Sequence, residues 1–293
     1  MKVYGVKMYF GNLEIFKKHI QILKEEGYNG IYFNSDFFLI EDKDTVKEVS
    51  KILKDNSFIV IGGHNVEVYP ELNGKIEDII FQQEKVFENA KILGVDKLTI
   101  HFGACKGIKR EEKYNFQKVL KKYNLSLSEY KERNIKVLKL LCKRAKKYSL
   151  TYTIENTPTN FICSITRKVD DILEIIEKVG EENLGICFDT GHAFVSNLNL
   201  YEEIVKCKNK PFEVHLHDNF GKISKDTEIN DFHQPCGIGK IDWLEVIKGF
   251  DEINFKGPYT FEIRFGNELR NLLKINKLNW ERFLNLYQRF FKN

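Results

Sequence analysis

The sequence predicts an α/β chain folded as a closed (β/α)8 TIM barrel, a single domain over residues 1–293. Two observations predict it. One rhythm repeats from end to end: a short run rich in β-branched and aromatic residues, a polar loop, then an amphipathic helix. The repeats number eight over about 290 residues, which suits a closed barrel better than an open dinucleotide-binding sheet, and no Gly-x-Gly-x-x-Gly follows the first strand. There is no linker, low-complexity tract or break in composition.

In chain order the expected strands are Val3–Met8, Gly30–Phe33, Phe58–Ile61, Lys97–His101, Tyr152–Glu155, Leu184–Phe188, Phe212–Leu216 and Tyr259–Ile263. Each is short and apolar enough to be covered on a face. Between them the helical period is expected over Leu13–Glu26, Thr45–Asp55, Lys75–Leu93, Ile135–Tyr148, Asp170–Val179, Tyr201–Lys208, Trp243–Glu252 and Glu268–Phe291. Asp242 is an expected helix cap. The last helix carries Trp280, Phe283, Leu284, Leu286, Tyr287, Phe290 and Phe291, enough apolar surface for core packing or for a homodimer face.

Composition excludes several function classes. Lysine and arginine number 46 against 42 acidic residues, a net charge of +4, too balanced for a polybasic nucleic-acid or membrane binder. No secretory core opens the chain and nowhere do about eighteen apolar residues run together, so a cytoplasmic protein with no membrane partner is expected. Six dispersed cysteines, Cys105, Cys142, Cys163, Cys187, Cys207 and Cys236, include no Cys-x-x-Cys pair. They read as free thiols in the core, not as a disulfide framework or a zinc knuckle.

Two connections exceed what a plain barrel needs. Ala104–Asn134 follows the fourth strand, carries Lys106, Lys109, Arg110, Lys118, Lys121 and Lys122, and is expected to include a short helix; it is either a binding loop or a solvated basic surface. Asn219–Lys240 follows the seventh strand and is rich in Asp, Gly and His. Active sites of barrels are built at this C-terminal end of the strands.

All seven histidines are expected at or just beyond strand ends and none on a helix surface: His64 after the third strand, His101 at the fourth, His192 after the sixth, His215 and His217 at the seventh, His233 in the loop that follows. Glu155, Asp189, Asp231 and Glu262 join them. Carboxylates gathered away from water need cations. Imidazole and carboxylate without thiolate suit Zn²⁺, Mn²⁺ or a related divalent ion, and the donors suffice for more than one.

The segments GGHN, TIHFG, TIENTP, FDTGHAF, VHLHDN, DFHQPCGIGKIDW and FEIRF together resemble the xylose-isomerase-like barrel superfamily, which includes sugar isomerases and epimerases and the endonuclease IV family of apurinic-site nucleases. The resemblance implies a core metal site of Glu155, Asp189, His215 and Glu262. The nuclease pattern further implies two zinc sites, one of His64 and His101 with Glu155 bridging, the other of His192, Asp231 and His233. One to three divalent ions per chain are therefore expected.

Which reaction the ligands serve depends on other residues. Where the nucleases would supply a basic segment after strand two, this chain has Asp36, Glu41, Asp42 and Asp44, which repel a phosphate backbone. Only Tyr69 and the basic loop remain to contact DNA, the partner under the alternative reading of a zinc phosphodiesterase acting at apurinic or apyrimidinic sites. The expectation is a metal-dependent isomerase or epimerase of a sugar or sugar phosphate. In the epimerases Glu155 and Glu262 would be the catalytic pair, and the expected substrate contacts are His192, His217 and Arg264. Arg264, two residues past Glu262, either holds an anion or closes a salt bridge at the barrel mouth. The turn Cys236–Lys240 is either an anion cradle or a plain tight turn, with the turn preferred.

Overall fold

The computed structural model describes residues 2–66, 76–103, 120–121, 124–158, 165–208, 210, 212–221 and 231–292. Eight parallel strands close into a barrel in chain order: β1 (Tyr4–Met8), β2 (Gly30–Phe33), β3 (Ile59–His64), β4 (Lys97–His101), β5 (Thr151–Glu155), β6 (Leu184–Asp189), β7 (Phe212–Leu216) and β8 (Tyr259–Phe261). β8 pairs with β1 through Tyr4↔Tyr259 and Val6↔Phe261, so the sheet has no edge. Around it run α1 (Leu13–Glu25), α2 (Lys43–Asp55), α3 (Ile76–Leu93), α4 (Leu127–Ala145), α5 (Val169–Val179), α6 (Thr190–Val195), α7 (Leu200–Lys206), α8 (Trp243–Glu252) and α9 (Leu269–Phe291).

The strands alternate in a way that positions the site. One set of residues, among them Val6, Ile31, Leu98, Ile100, Tyr152, Ile154, Ile186, Val214 and Phe261, belongs to the apolar core shared with the helices. The alternate set is polar: Lys7, Thr99, Thr153, Glu155, Glu213, His215 and Thr260, all buried. Since side chains alternate across a strand, the second set faces the barrel axis. Its packing is polar too, with Thr99 and Thr153 hydroxyls donating to Glu213 Oε2 at 3.0 and 2.7 Å. The helices complete the apolar layer: α5 buries Val169, Ile172, Ile175, Ile176 and Val179, the 3–4 spacing of a helical stripe. Each such side chain contributes about 1.5–3 kcal/mol of gross burial energy.

Several expected boundaries move. α4 begins at Leu127, eight residues before the expected Ile135, because Ser126 and Glu129 form a reciprocal capping box. The long connection after β4 therefore ends sooner, and most of it lies outside the described residues, as do Tyr69, Cys105 and Cys163. β3 runs on to His64 and β6 to Asp189, whereas β8 stops at Phe261, short of Glu262. His19 corrects the placement of the histidines: it lies within α1, half-buried, far in sequence from any strand end. Cys142, Cys187, Cys207 and Cys236 are buried free thiols. No helix of the described residues is long and apolar enough to cross a membrane.

Candidate metal centre

Three groups of side chains converge at the C-terminal mouth of the barrel, each with donor atoms close enough to hold one ion: His64, His101 and Glu155; Glu155, Asp189, His215 and Glu262; and His192, His217, Asp231 and His233. All nine expected ligands are brought together in the expected groupings. The structure adds His217 to the third.

Each group is built by strand ends. β3, β4 and β5 lie side by side, and His101 pairs in register with Glu155. Glu155 Oε2 then sits 3.4 Å from His64 Nε2 and 3.2 Å from His101 Nε2, while those two nitrogens are themselves only 3.4 Å apart. The His64 Nδ1 hydrogen bonds to the Asn65 carbonyl at 3.1 Å, which places the proton on Nδ1 and leaves the Nε2 lone pair facing inward. Burial also lowers the His64 pKa and keeps the ring neutral. The His64 Nε2, the His101 Nε2 and the Glu155 Oε2 thus converge on one point, three donor atoms within 3.4 Å of one another. A divalent cation would find three donors there, two imidazoles and a carboxylate, and this donor set fits one.

In the second group the His215 Nδ1 lies between Glu155 Oε1 at 3.2 Å and Glu262 Oε2 at 2.9 Å. Asp189 stands on β6 in register with His215. Burial disfavours both glutamates as anions, yet His215 and His101 hold Glu155 well below the usual carboxylate range. For Glu262, Lys7 and His215 overcome burial in the same sense. Lys7 Nζ donates to Glu262 Oε1 at 2.8 Å, and both side chains are largely shielded from solvent.

The third group is assembled by α6 and the loop after β7. Asp189 caps α6 by accepting the His192 amide at 2.7 Å. His192 Nδ1 hydrogen bonds to the Asn156 carbonyl, leaving Nε2 3.1 Å from Asp231 Oδ2. His233 repeats the device: its Nδ1 lies 3.0 Å from the Glu262 carbonyl and its Nε2 2.6 Å from Asp231 Oδ2. His217 stacks on His233 with ring centroids 3.9 Å apart and reaches Asp189 Oδ1 at 2.9 Å. Burial opposes charge here as well, but Asp189 and Asp231 raise the His192 and His217 pKa values, and the histidines hold Asp231 low.

Asp218 anchors the loop that delivers Asp231 and His233. Its carboxylate accepts the amides of Asn219, Gly237 and Ile241 and the Trp243 indole N–H, at 2.8 to 3.1 Å. The turn at Cys236–Lys240 therefore wraps a carboxylate of its own chain and is no anion cradle. Arg264 is exposed and lies beyond the end of β8. The acidic residues after β2 serve locally: Asp36 accepts the Phe10 amide at 2.8 Å, and Asp42 caps α2. Lys7 was not anticipated. Its signal was a lysine in the middle of the apolar strand Tyr4–Met8.

This chain belongs to the xylose isomerase-like TIM barrel family, whose model matches residues 20–280. Among curated proteins it is 31% identical over 154 residues to an uncharacterized protein of Methanocaldococcus jannaschii, and 25% identical over 88 residues to one of Sinorhizobium fredii. The matches cover 50% and 30% of this chain; it spans about half the length of the first relative and 26% of the second. Among solved structures it resembles one described as an L-ribulose 3-epimerase (TM-score 0.77, 14% identity, 99% of this chain and 96% of that one). It also resembles a D-tagatose 3-epimerase-like protein (TM-score 0.74, 19% identity, 99% of both chains). A 3-keto-D-glucoside 4-epimerase of Escherichia coli shares the fold as well (TM-score 0.68, 14% identity, 99% and 100%). At such identities the likeness is one of fold.

Proposed function

We propose that the chain is a metal-dependent isomerase or epimerase of a sugar or sugar phosphate, moving a proton at a carbon next to a carbonyl. The observation that carries the reading is the pair Glu155 and Glu262: two carboxylates from β5 and β8, both favoured as anions, meeting from two directions at His215 Nδ1. Such a pair serves proton removal on one side of a substrate carbon and return on the other. Glu155, Asp189, His215 and Glu262 would hold a Zn²⁺ or Mn²⁺ ion, which supplies polarisation of the substrate carbonyl oxygen.

Within that arrangement Lys7 keeps Glu262 ionised and fixes its orientation by a 2.8 Å hydrogen bond. His192 would contact a substrate hydroxyl or hold a second metal, and His217, whose Nδ1 has no hydrogen-bond partner among the described residues, would contact the substrate from the same side. The test is deuterium uptake from heavy water into a panel of ketoses and their phosphates by the metal-loaded protein, with Glu155→Gln and Glu262→Gln as controls. Uptake absent across the panel, or persisting in both variants, refutes the reading.

The first and third donor groups favour a second reading, a zinc phosphodiesterase of the endonuclease IV type acting at apurinic sites, since clamping a phosphodiester uses several ions and a bridging carboxylate such as Glu155. Metal-dependent nicking of a duplex carrying one abasic site, lost in Glu155→Gln and accompanied by nearly three zinc ions per chain, would establish it over the first.

A further inference from the structure

A cavity of about 330 Å³ opens on the β1–β8 side of the barrel mouth, next to the centre but separate from the three donor groups. Its walls include Lys7, Tyr9, His19, Arg264 and Leu269. The volume is within the range of small-molecule sites. Two of its lining residues carry formal positive charge and none is acidic.

The two cations differ in kind. Lys7 is already paired with Glu262, so it links the cavity it lines to the second donor group. Arg264 has no ion-pair partner among the described residues, and its guanidinium offers a planar fork of donors suited to carboxylate or phosphate. His19 adds a buried Nδ1 that lacks a hydrogen-bond partner among the described residues. Leu269 opens α9, a helix of 23 residues whose N-terminal cap is made by no side chain, so the positive end of its dipole lies on this wall.

We propose that this cavity takes the anionic end of the substrate, a phosphate ester or a carboxylate, while the carbonyl end lies at Glu155 and Glu262. The proposal rests on the sugar reading for the rest of the ligand and on the cavity alone for the anion. The spacing is consistent: the chain runs from Glu262 to Arg264 in two residues, about 6.6 Å when extended, a span comparable to a short polyol. Arg264 is the residue that selects the charged substrate over its neutral counterpart.

Calorimetric titration of the metal-loaded protein with glucitol, glucitol 6-phosphate, gluconate and inorganic phosphate tests this without turnover. One of the two charged polyols is expected to bind at least about tenfold more tightly than glucitol, as hydrogen bonds to a charged group allow, and which one does identifies the anion. The gain should vanish in Arg264→Gln and return in part in Arg264→Lys, with glucitol affinity unchanged. Equal affinity for charged and neutral polyols overturns the cavity proposal and leaves the sugar reading standing. An anion preference that survives Arg264→Gln also overturns it, since the anion then sits on the metals. If no polyol binds, the sugar reading fails by itself; inorganic phosphate binding that requires Arg264 then upholds the cavity, and its absence removes that as well.

Discussion

Glu155 is the side chain on which the metal centre can be tested most directly, because it belongs to two of the three donor groups. Its Oε1 faces His215 and His192 at 3.2 and 3.4 Å, and its Oε2 faces His101 and His64 at 3.2 and 3.4 Å. Glu155→Gln keeps the shape but replaces an anionic donor with a neutral oxygen and an N–H₂. An ion present at about a thousand times its dissociation constant stabilises the folded state by about 4 kcal/mol. In a chain of this size each kcal/mol raises Tm by about 2 °C, so one filled group is worth about 8 °C. The variant leaves His64 and His101 as a two-donor remnant and the Asp189–His215–Glu262 group short of one anion, while the His192–His217–Asp231–His233 group is untouched. The metal-dependent rise in Tm should therefore shrink by about 8 °C or more without disappearing, and elemental analysis should find at least one fewer ion per chain. The same ion count and the same rise in wild type and variant would refute the assignment. So would a wild-type protein whose Tm ignores divalent ions altogether.

Asp218→Ala strands three backbone amides and the Trp243 indole N–H; at about 1–3 kcal/mol for each buried donor left without a partner, urea unfolding should show a loss of at least about 3 kcal/mol. Lys7→Met leaves Glu262 without its buried cation, and on the proposed sugar reading deuterium uptake should fall at least about tenfold while the ion count stays the same. Glu84 joins α3 to α4 and the turn that follows through Arg144 Nε and the Tyr148 hydroxyl. Burial opposes its ionisation, but those hydrogen bonds hold its pKa below the ordinary 4.5. A depressed carboxylate stabilises the fold fully above 4.5 and loses that contribution as pH falls through the folded value. Glu84→Gln should thus cost up to about 1 kcal/mol at pH 7 and nothing in strong acid, read by chemical denaturation at both pH values.

How far the barrel could be read from sequence depended on whether the deciding contact was local. Strand and helix order follows from hydrophobic period, which each segment carries in itself, and seven of the eight strands both begin and end within two residues of expectation for that reason. The start of α4 is local as well: Ser126 and Glu129 stand three apart as a capping box requires, at the end of a stretch whose many lysines otherwise read as a surface loop. The nine candidate donors that the structure brings together stand at strand ends or in the loops that follow them, where histidine or carboxylate is conspicuous against an apolar setting. His19 lacks that setting: it sits in a helical period, not at a strand end.

Lys7 was missed for a different reason. A barrel strand is buried on both faces, so its hydrophobic pattern does not announce which residues point to the axis. Tyr4–Met8 reads as an ordinary strand with one lysine, and a lysine on a short strand next to the N-terminus suggests solvent. What converts it into part of the site is closure: β1 pairs with β8, bringing Lys7 within 2.8 Å of a glutamate 255 residues away. No periodicity within either strand encodes that pairing. The same closure sets Arg264 and His19 around one cavity, so strand ends mark the candidate donors one by one, while the residues grouped around that cavity follow from which strand becomes the neighbour of the first.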